Sequence, residues 1–291
     1  GRYDDAADCN RRAAALDDAW LETDPNAGEY RFYMAHNRHF LAWSAMLQGR
    51  KREAVSSARA IENEIPAPLL EKLGFISDGV IASKWHVFVR FGLWEDIISE
   101  PAPPEWAVVS KALQHYARGI AFANSSRITQ AREEISLFDK AVKNIPDEDW
   151  MLGGQAASEV MPLAKLVLVG EIEFKAGNQD AGIRSLKKAV QLEEELIYAE
   201  PSAWMMPARH AYGALLIVNG QYKEAEQVYL KDLKIFPANG WALLGLRDAL
   251  RGQRRFEEAE ITDKAFKHAW KSADVIPPAS CYCGSSVAVS R

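Results

Sequence analysis

The sequence predicts an all-α protein, an α-solenoid of stacked antiparallel helix hairpins, and three observations predict it. Ala, Leu, Glu, Lys and Gln fill long stretches in which apolar residues recur at spacings of three and four, while β-branched residues seldom alternate as strands require. Pro66, Pro68, Pro101, Pro103, Pro104, Pro146, Pro201 and Pro237 fall between these stretches, where a missing backbone donor does least harm. One short frame also recurs: GRYDDA at 1–6, GRKREA at 49–54, GLWEDI at 92–97, SRITQA at 126–131, GNQDAG at 177–182, GQYKEA at 220–225 and RRFEEA at 254–259. In each, a turn residue is followed by a long or bulky side chain at the second position after it and a small or apolar one at the fifth.

Each turn residue ends one helix, and the small residue lets the next helix approach it closely. A hairpin of this kind cannot cover its own apolar face, so hairpins must stack. The opening stretch GRYDDAADCNRRAAALD reads as the second helix of a hairpin whose first helix is absent, so a truncated or processed product is expected. Its uncovered apolar face should seek a partner, either a missing N-terminal half or another subunit. YMAHNRHFLAWSAML then leads into the turn at Gly49, WHVFVRF into Gly92, HYARGIAFA into Ser126, LVLVGEIEF into Gly177, HAYGALLIV into Gly220 and WALLGL into Arg254. The array is expected over 1–270, about six hairpins with the first incomplete, and 271–291 form a C-terminal tail. His268 falls on the final capping helix, and Trp85 and Trp241 are expected to pack between helices.

The clearest unit, 206–237, has Tyr212–Gly213 in its first helix, Gly220–Gln221–Tyr222 at the turn, Ala225 and Tyr229 in its second helix and Pro237 at its close; Trp241, Leu244 and Gly245 take similar places in the next. These residues resemble the tetratricopeptide repeat (TPR) family, although the turns depart from a strict period of about 34 residues. The resemblance implies a right-handed superhelix with a concave, ligand-binding groove. More narrowly, YMAHNRHFLAWSAMLQGRKREAV, RFGLWEDIISEPAPP and EPSAWMMPARHAYGALLIVNGQYKEAEQVYLKDLKIFPANGWALLGL look like the C-terminal half of a large bacterial TPR family of uncertain function. Ala35, where that family has proline, and the tail IPPASCYCGSSVAVSR depart from its pattern.

Composition narrows the function classes. A net charge of −5 with both signs interspersed leaves no basic stripe for phosphate backbones, so no nucleic-acid partner is expected. The cluster Arg251, Arg254 and Arg255 is followed at once by Glu257, Glu258 and Glu260. No apolar run approaches the roughly 18 residues that span a bilayer, so a soluble chain is expected. Cys9, Cys281 and Cys283 are too few for a disulfide framework and point to a reducing, cytoplasmic setting. There is no phosphate loop, no dinucleotide glycine pattern after a strand and no nucleophile elbow, so no catalytic residue is assigned.

By the family resemblance, groove-facing residues lie on the first helix of each hairpin at set distances before the turn. In that frame His36, His39, Trp43 and Met46 precede Gly49, His86 and Arg90 precede Gly92, Tyr116 precedes Ser126, Glu171 and Lys175 precede Gly177, and His210 precedes Gly220. Mixed charge and apolar surface suits a peptide with a polar terminus. His36 and His39 share a helix face, so with His86 they could hold a transition metal, a third or fourth ligand coming from a carboxylate or solvent. Against that, the spacing is not that of a HExxH zinc helix, and hydrogen bonding to a peptide or a neighbouring helix is the plainer role. His115, one step off the groove frame, reads as a buried, hydrogen-bonded residue, and Arg209 as an ion-pair partner. Cys281 and Cys283 could bind a soft metal, but their spacing is tighter than that of structural zinc pairs, and an exposed tail is the plainer reading. The sequence thus favours a peptide- or protein-binding scaffold without cofactor. A metal- or small-molecule-binding protein with a histidine-lined groove, redox-active in one version, is the alternative, and a docking fragment of a larger assembly the third.

Overall fold

The computed structural model describes residues 1–146 and 150–284; 147–149 and the end of the tail, 285–291, lie outside the described residues. The helices are α1 (Tyr3–Thr23), α2 (Arg31–Leu47), α3 (Lys51–Glu64), α4 (Ala67–Lys72), α5 (Gly74–Ile81), α6 (Ser83–Arg90), α7 (Trp94–Ser99), α8 (Val108–Asn124), α9 (Ile128–Val142), α10 (Ala157–Lys175), α11 (Gln179–Glu195), α12 (Ala208–Val218), α13 (Tyr222–Ile235), α14 (Gly240–Gly252) and α15 (Phe256–Ala269). Met151–Leu152 and Gln155–Ala156 pair antiparallel as two short strands. The fold is all-helical, with each long helix packed against its neighbours in sequence.

Six turn residues of the repeated frame adopt the left-handed backbone conformation: Gly49 (φ 69°), Gly92 (63°), Ser126 (61°), Gly177 (93°), Gly220 (74°) and Arg254 (62°). They join α2 to α3, α6 to α7, α8 to α9, α10 to α11, α12 to α13 and α14 to α15. At Gly49 the Arg50 amide donates to the Ala45 carbonyl at 2.9 Å and the Gly49 amide to Met46 at 3.3 Å, the paired bonds of a Schellman motif. The same longer bond runs from Leu93 to Phe88, Arg127 to Phe122, Asn178 to Glu173, Gln221 to Leu216 and Arg255 to Leu250. The frame thus marks the points where helix carbonyls would otherwise be left unpaired. Of its fifth positions, Ala54, Ile97, Ala131, Gly182, Ala225 and Ala259 are buried where the paired helices meet, and Ala6 on α1 is half-buried.

The unequal intervals between turns have structural causes. The segment between Gly49 and Gly92 accommodates α4 and α5, that between Ser126 and Gly177 the strand pair, and that between Gly177 and Gly220 an irregular connection, 196–207. Helix α5 has a positional role: the Asp78 carboxylate accepts the amides of Val109 at 2.6 Å and Ser110 at 2.9 Å, capping α8 from another helix. Close approach explains Gly213, because the buried Tyr229 ring occupies the space that a β-carbon there would need.

The two ends of the helical array meet. The Trp241 indole donates to the Met46 carbonyl at 2.9 Å, and the Trp270 ring lies over Gly49. Beyond α15, Asp274 caps α3 by accepting the amides of Lys51 at 2.6 Å and Arg52 at 3.1 Å. The first helix pair therefore closes against the last, and the residues between them face a shared interior.

Candidate functional site

The candidate site is this interior, and two irregular segments of the chain fill it. The first is the connection between α11 and α12. Gln155 fixes its entry by exchanging hydrogen bonds with the Ile197 backbone, both at 3.1 Å. Ala203, Trp204, Met205 and Met206 are then buried. Trp204 meets the ring of His86 at 4.5 Å and that of Tyr116 at 5.2 Å, both edge to face. The Met205 sulfur lies 3.4 Å from His39 Nε2.

The second segment is the tail as far as Gly284. Arg90 donates to the Ser280 carbonyl at 3.0 Å. Ser280 donates its hydroxyl proton to the His210 carbonyl at 3.0 Å, so the Tyr229 hydroxyl is the donor in the 2.6 Å bond between Tyr229 and Ser280. Tyr282 packs over Gly92, and Cys281 is joined to Cys283 by a disulfide. The tail therefore does not hang free over its described part, and its two sulfurs are bonded where the sequence pointed to thiols.

Between the segments lies a buried polar network. The Arg90 guanidinium sits 4.6 Å over the Trp241 ring and donates to His210 Nδ1 at 2.9 Å. That bond makes Nδ1 an acceptor, so Nε2 carries the proton and donates to Asp232 at 3.1 Å. Asn239 then donates to Asp232 at 3.2 Å rather than to the already protonated Nε2. Burial drives the His210 pKa down against the pull of Asp232, consistent with a neutral ring. Burial also brings Arg90 down to about 10, which leaves it charged at neutral pH.

The groove-frame residues divide into two groups. His39, Met46, His86, Arg90, Tyr116, Glu171 and His210 are all buried and converge on the interior. His36 is exposed beside Phe40, its pKa lowered by partial desolvation and not by any charged partner, and Trp43 is half-buried against Tyr3. Trp43 lines a separate surface cavity of 540 Å³ with Glu193, Glu194 and Arg209. Burial, then His36, lowers His39 to about 4; burial, then His39 and Arg90, lowers His86 to about 3. Neither His86 nitrogen has a hydrogen-bond partner among the described residues. Elsewhere His115 bonds Glu134 at 2.6 Å, Arg209 pairs with Glu193 and Glu194, and Asn37 and Arg38 turn away to Asp17 and Glu64.

Among the described residues the cluster of three ligand-type groups whose donor atoms lie within 4.8 Å of one another is Glu171, Cys281 and Cys283, not the three histidines. Glu171 Oε2 and the Tyr116 hydroxyl have no hydrogen-bond partner among the described residues. Burial raises Glu171 to about 7 against Lys175, Asn124 and Arg90, and raises Tyr116 well above the usual phenol range. Beside them is a cavity of 20 Å³, room for about one water, lined by Arg90, Tyr116, Glu171, Trp204, His210 and Cys281. Sequence reasoning missed Trp204, Met205, Asp232, Asn239 and Ser280. The one available signal was Trp204–Met205–Met206, three large apolar residues in a proline-flanked connection where solvent-facing polar residues are the rule.

No family model, curated protein or solved structure matches the chain.

Proposed function

We propose that the chain is a helical-repeat binding scaffold of the tetratricopeptide type, a right-handed superhelix of antiparallel hairpins whose concave face grips extended polypeptide. The reading rests on one observation: residues on separate helices hold the chain's own tail at Ser280, Arg90 by its main-chain carbonyl and the α12–α13 hairpin, which carries His210 and Tyr229, by its hydroxyl. Backbone capture by a fixed guanidinium, flanked by aromatic walls, is how a groove binds an extended segment without requiring many particular side chains. In this reading the tail is the resident ligand, and a partner segment of similar chemistry, small and polar at one position and apolar beside it, competes for its place.

A labelled peptide spanning Val275–Gly284, titrated into a chain ending at Ala273, tests this. Saturable binding that Arg90→Met weakens is the expected result. A truncated chain that unfolds cooperatively yet leaves the peptide free would sink the reading. No described helix is long and apolar enough to cross a membrane. The alternative of a metal- or small-molecule-binding protein has its own support in a different set of residues from the histidines.

A further inference from the structure

We propose that Glu171, Cys281 and Cys283 form, once the disulfide is reduced, a three-ligand site for a zinc ion. The site uses the tail as seated in the interior and does not depend on the capture of any partner peptide. Three donor groups of suitable type, one from α10 and two from the tail, lie within 4.8 Å of one another. In tetrahedral zinc sites with bonds of about 2.0–2.3 Å the ligand atoms sit roughly 3.5–3.8 Å apart, so the two bonded sulfurs must part on reduction while Glu171 already lies near them.

The independent observation is Glu171 itself. It is 2% exposed, and its Oε2 has no hydrogen-bond partner among the described residues. An unsatisfied buried carboxylate oxygen costs stability unless something else fills its lone pairs, and a cation does so. The Tyr116 hydroxyl is likewise unpartnered, beside a cavity of 20 Å³. Three protein ligands plus one water is the composition of an open zinc site, and that cavity has room for the water within reach of Tyr116.

Charge and ligand softness favour the same ion. Two thiolates, one carboxylate and a divalent cation leave one negative charge, and the cations that act on Glu171 are Lys175 and, less strongly, Arg90. Two sulfurs with one carboxylate oxygen suit a borderline ion such as zinc better than magnesium or calcium, which take all-oxygen shells. In the reducing step, two equivalents of a small thiol break the Cys281–Cys283 bond. The thiol becomes its own disulfide and both cysteines are left protonated. Zinc then displaces both thiol protons as its two Zn–S bonds form. The site is therefore redox-gated, closed to metal while the sulfurs are bonded to each other.

The test uses the full chain carrying Cys9→Ser, because Cys9 is an exposed third thiol. Zn²⁺ is titrated against a chromophoric chelator, once with the protein reduced and desalted and once with it oxidised, and Co²⁺ is added in parallel. The expected result is one zinc per reduced chain and none per oxidised chain, with thiolate-to-cobalt charge-transfer absorption and the strong visible bands of a tetrahedral ion. Glu171→Gln, nearly isosteric, should weaken zinc binding by roughly tenfold or more, and Glu171→Asp, which retracts the oxygen, should do the same. A reduced chain that takes up no zinc overturns the proposal, as does an oxidised chain that binds equally well. Unchanged affinity in a folded Glu171 variant overturns the three-ligand site, leaving the cysteines alone as the binders.

Discussion

Arg90 on α6 donates a 3.0 Å hydrogen bond to the main-chain carbonyl of Ser280, which lies 190 positions later in the chain. The same guanidinium donates to His210 at 2.9 Å, so one side chain ties the tail to the interior and fixes the tautomer of the neighbouring imidazole.

Arg90→Met keeps the length of the side chain but removes both donations, stranding the Ser280 carbonyl and His210 Nδ1 away from water. The expected cost is about 2–4 kcal/mol in urea unfolding. Limited trypsin digestion should also cut sooner after Lys271 in the variant. An unchanged urea midpoint together with an unchanged cleavage rate would mean that Arg90 does not hold the tail.

Trp204 is the wall between His86 and Tyr116. Trp204→Ala should cost about 3–5 kcal/mol, because the surrounding helices collapse only partly into the vacated volume. Trp204→Phe should recover most of that. Thermal unfolding of the two variants is the measurement, and equal melting temperatures for alanine and wild type would show that the connection is not packed inside.

Acid should destabilise the fold earlier than carboxylate titration alone requires. His39 and His86 have folded pKa values lowered to about 4 and about 3, against about 6.5 unfolded. Below pH 6.5 the unfolded chain binds protons that the folded one refuses, so this stability is present above that pH and lost as the pH falls toward the folded values. The slope should approach 1.4 kcal/mol per pH unit for each histidine, to order of magnitude. Urea midpoints at pH 5.0–6.5 test it: His86→Leu should flatten the dependence, and an identical slope in the variant would remove His86 as its source.

Ser126 and Arg254 occupy left-handed turn positions that glycine fills at Gly49, Gly92, Gly177 and Gly220. Ser126→Gly should therefore raise stability by about 0.5–1 kcal/mol, relieving the β-carbon clash at the cost of extra freedom in the unfolded chain. Gly220→Ala should lower it by a similar amount, since nothing but backbone conformation opposes a side chain there. Differential scanning calorimetry should show shifts of opposite sign; shifts of the same sign would contradict the capping role.

Removing the long-range cap tests the placement of α5. Asp78→Ala leaves the amides of Val109 and Ser110 buried without an acceptor, and should cost about 1–3 kcal/mol. Hydrogen exchange in the first turn of α8 should accelerate in the variant. Protection there that matched wild type would show that another group caps the helix.

The helices and their turns were legible in the sequence because their causes are local. An apolar spacing of three and four sets a helical face, and a residue able to adopt positive φ ends it, so Gly49, Gly92, Gly177 and Gly220 announced themselves. Ser126 and Arg254 did so only through the frame around them. That His39, His86, Arg90, Tyr116, Glu171 and His210 would share one side was expected only through the family resemblance, and the same frame also named His36, which is exposed, and Trp43, which is half-buried. Their surroundings were not readable. Whether those positions face solvent or protein depends on how far the array curls and on where the 196–207 connection and the tail lie. Those placements come from contacts between residues far apart in sequence: Trp241 to Met46, Trp270 to Gly49, Asp274 to the start of α3. Small deviations at each helix junction add up along an array, and no local pattern encodes the sum. By itself, then, the sequence determined the helices and the turns that end them. Only the tertiary structure decided that the polar residues look onto the chain's own Trp204 and Ser280, and that Glu171 meets two sulfurs from the tail.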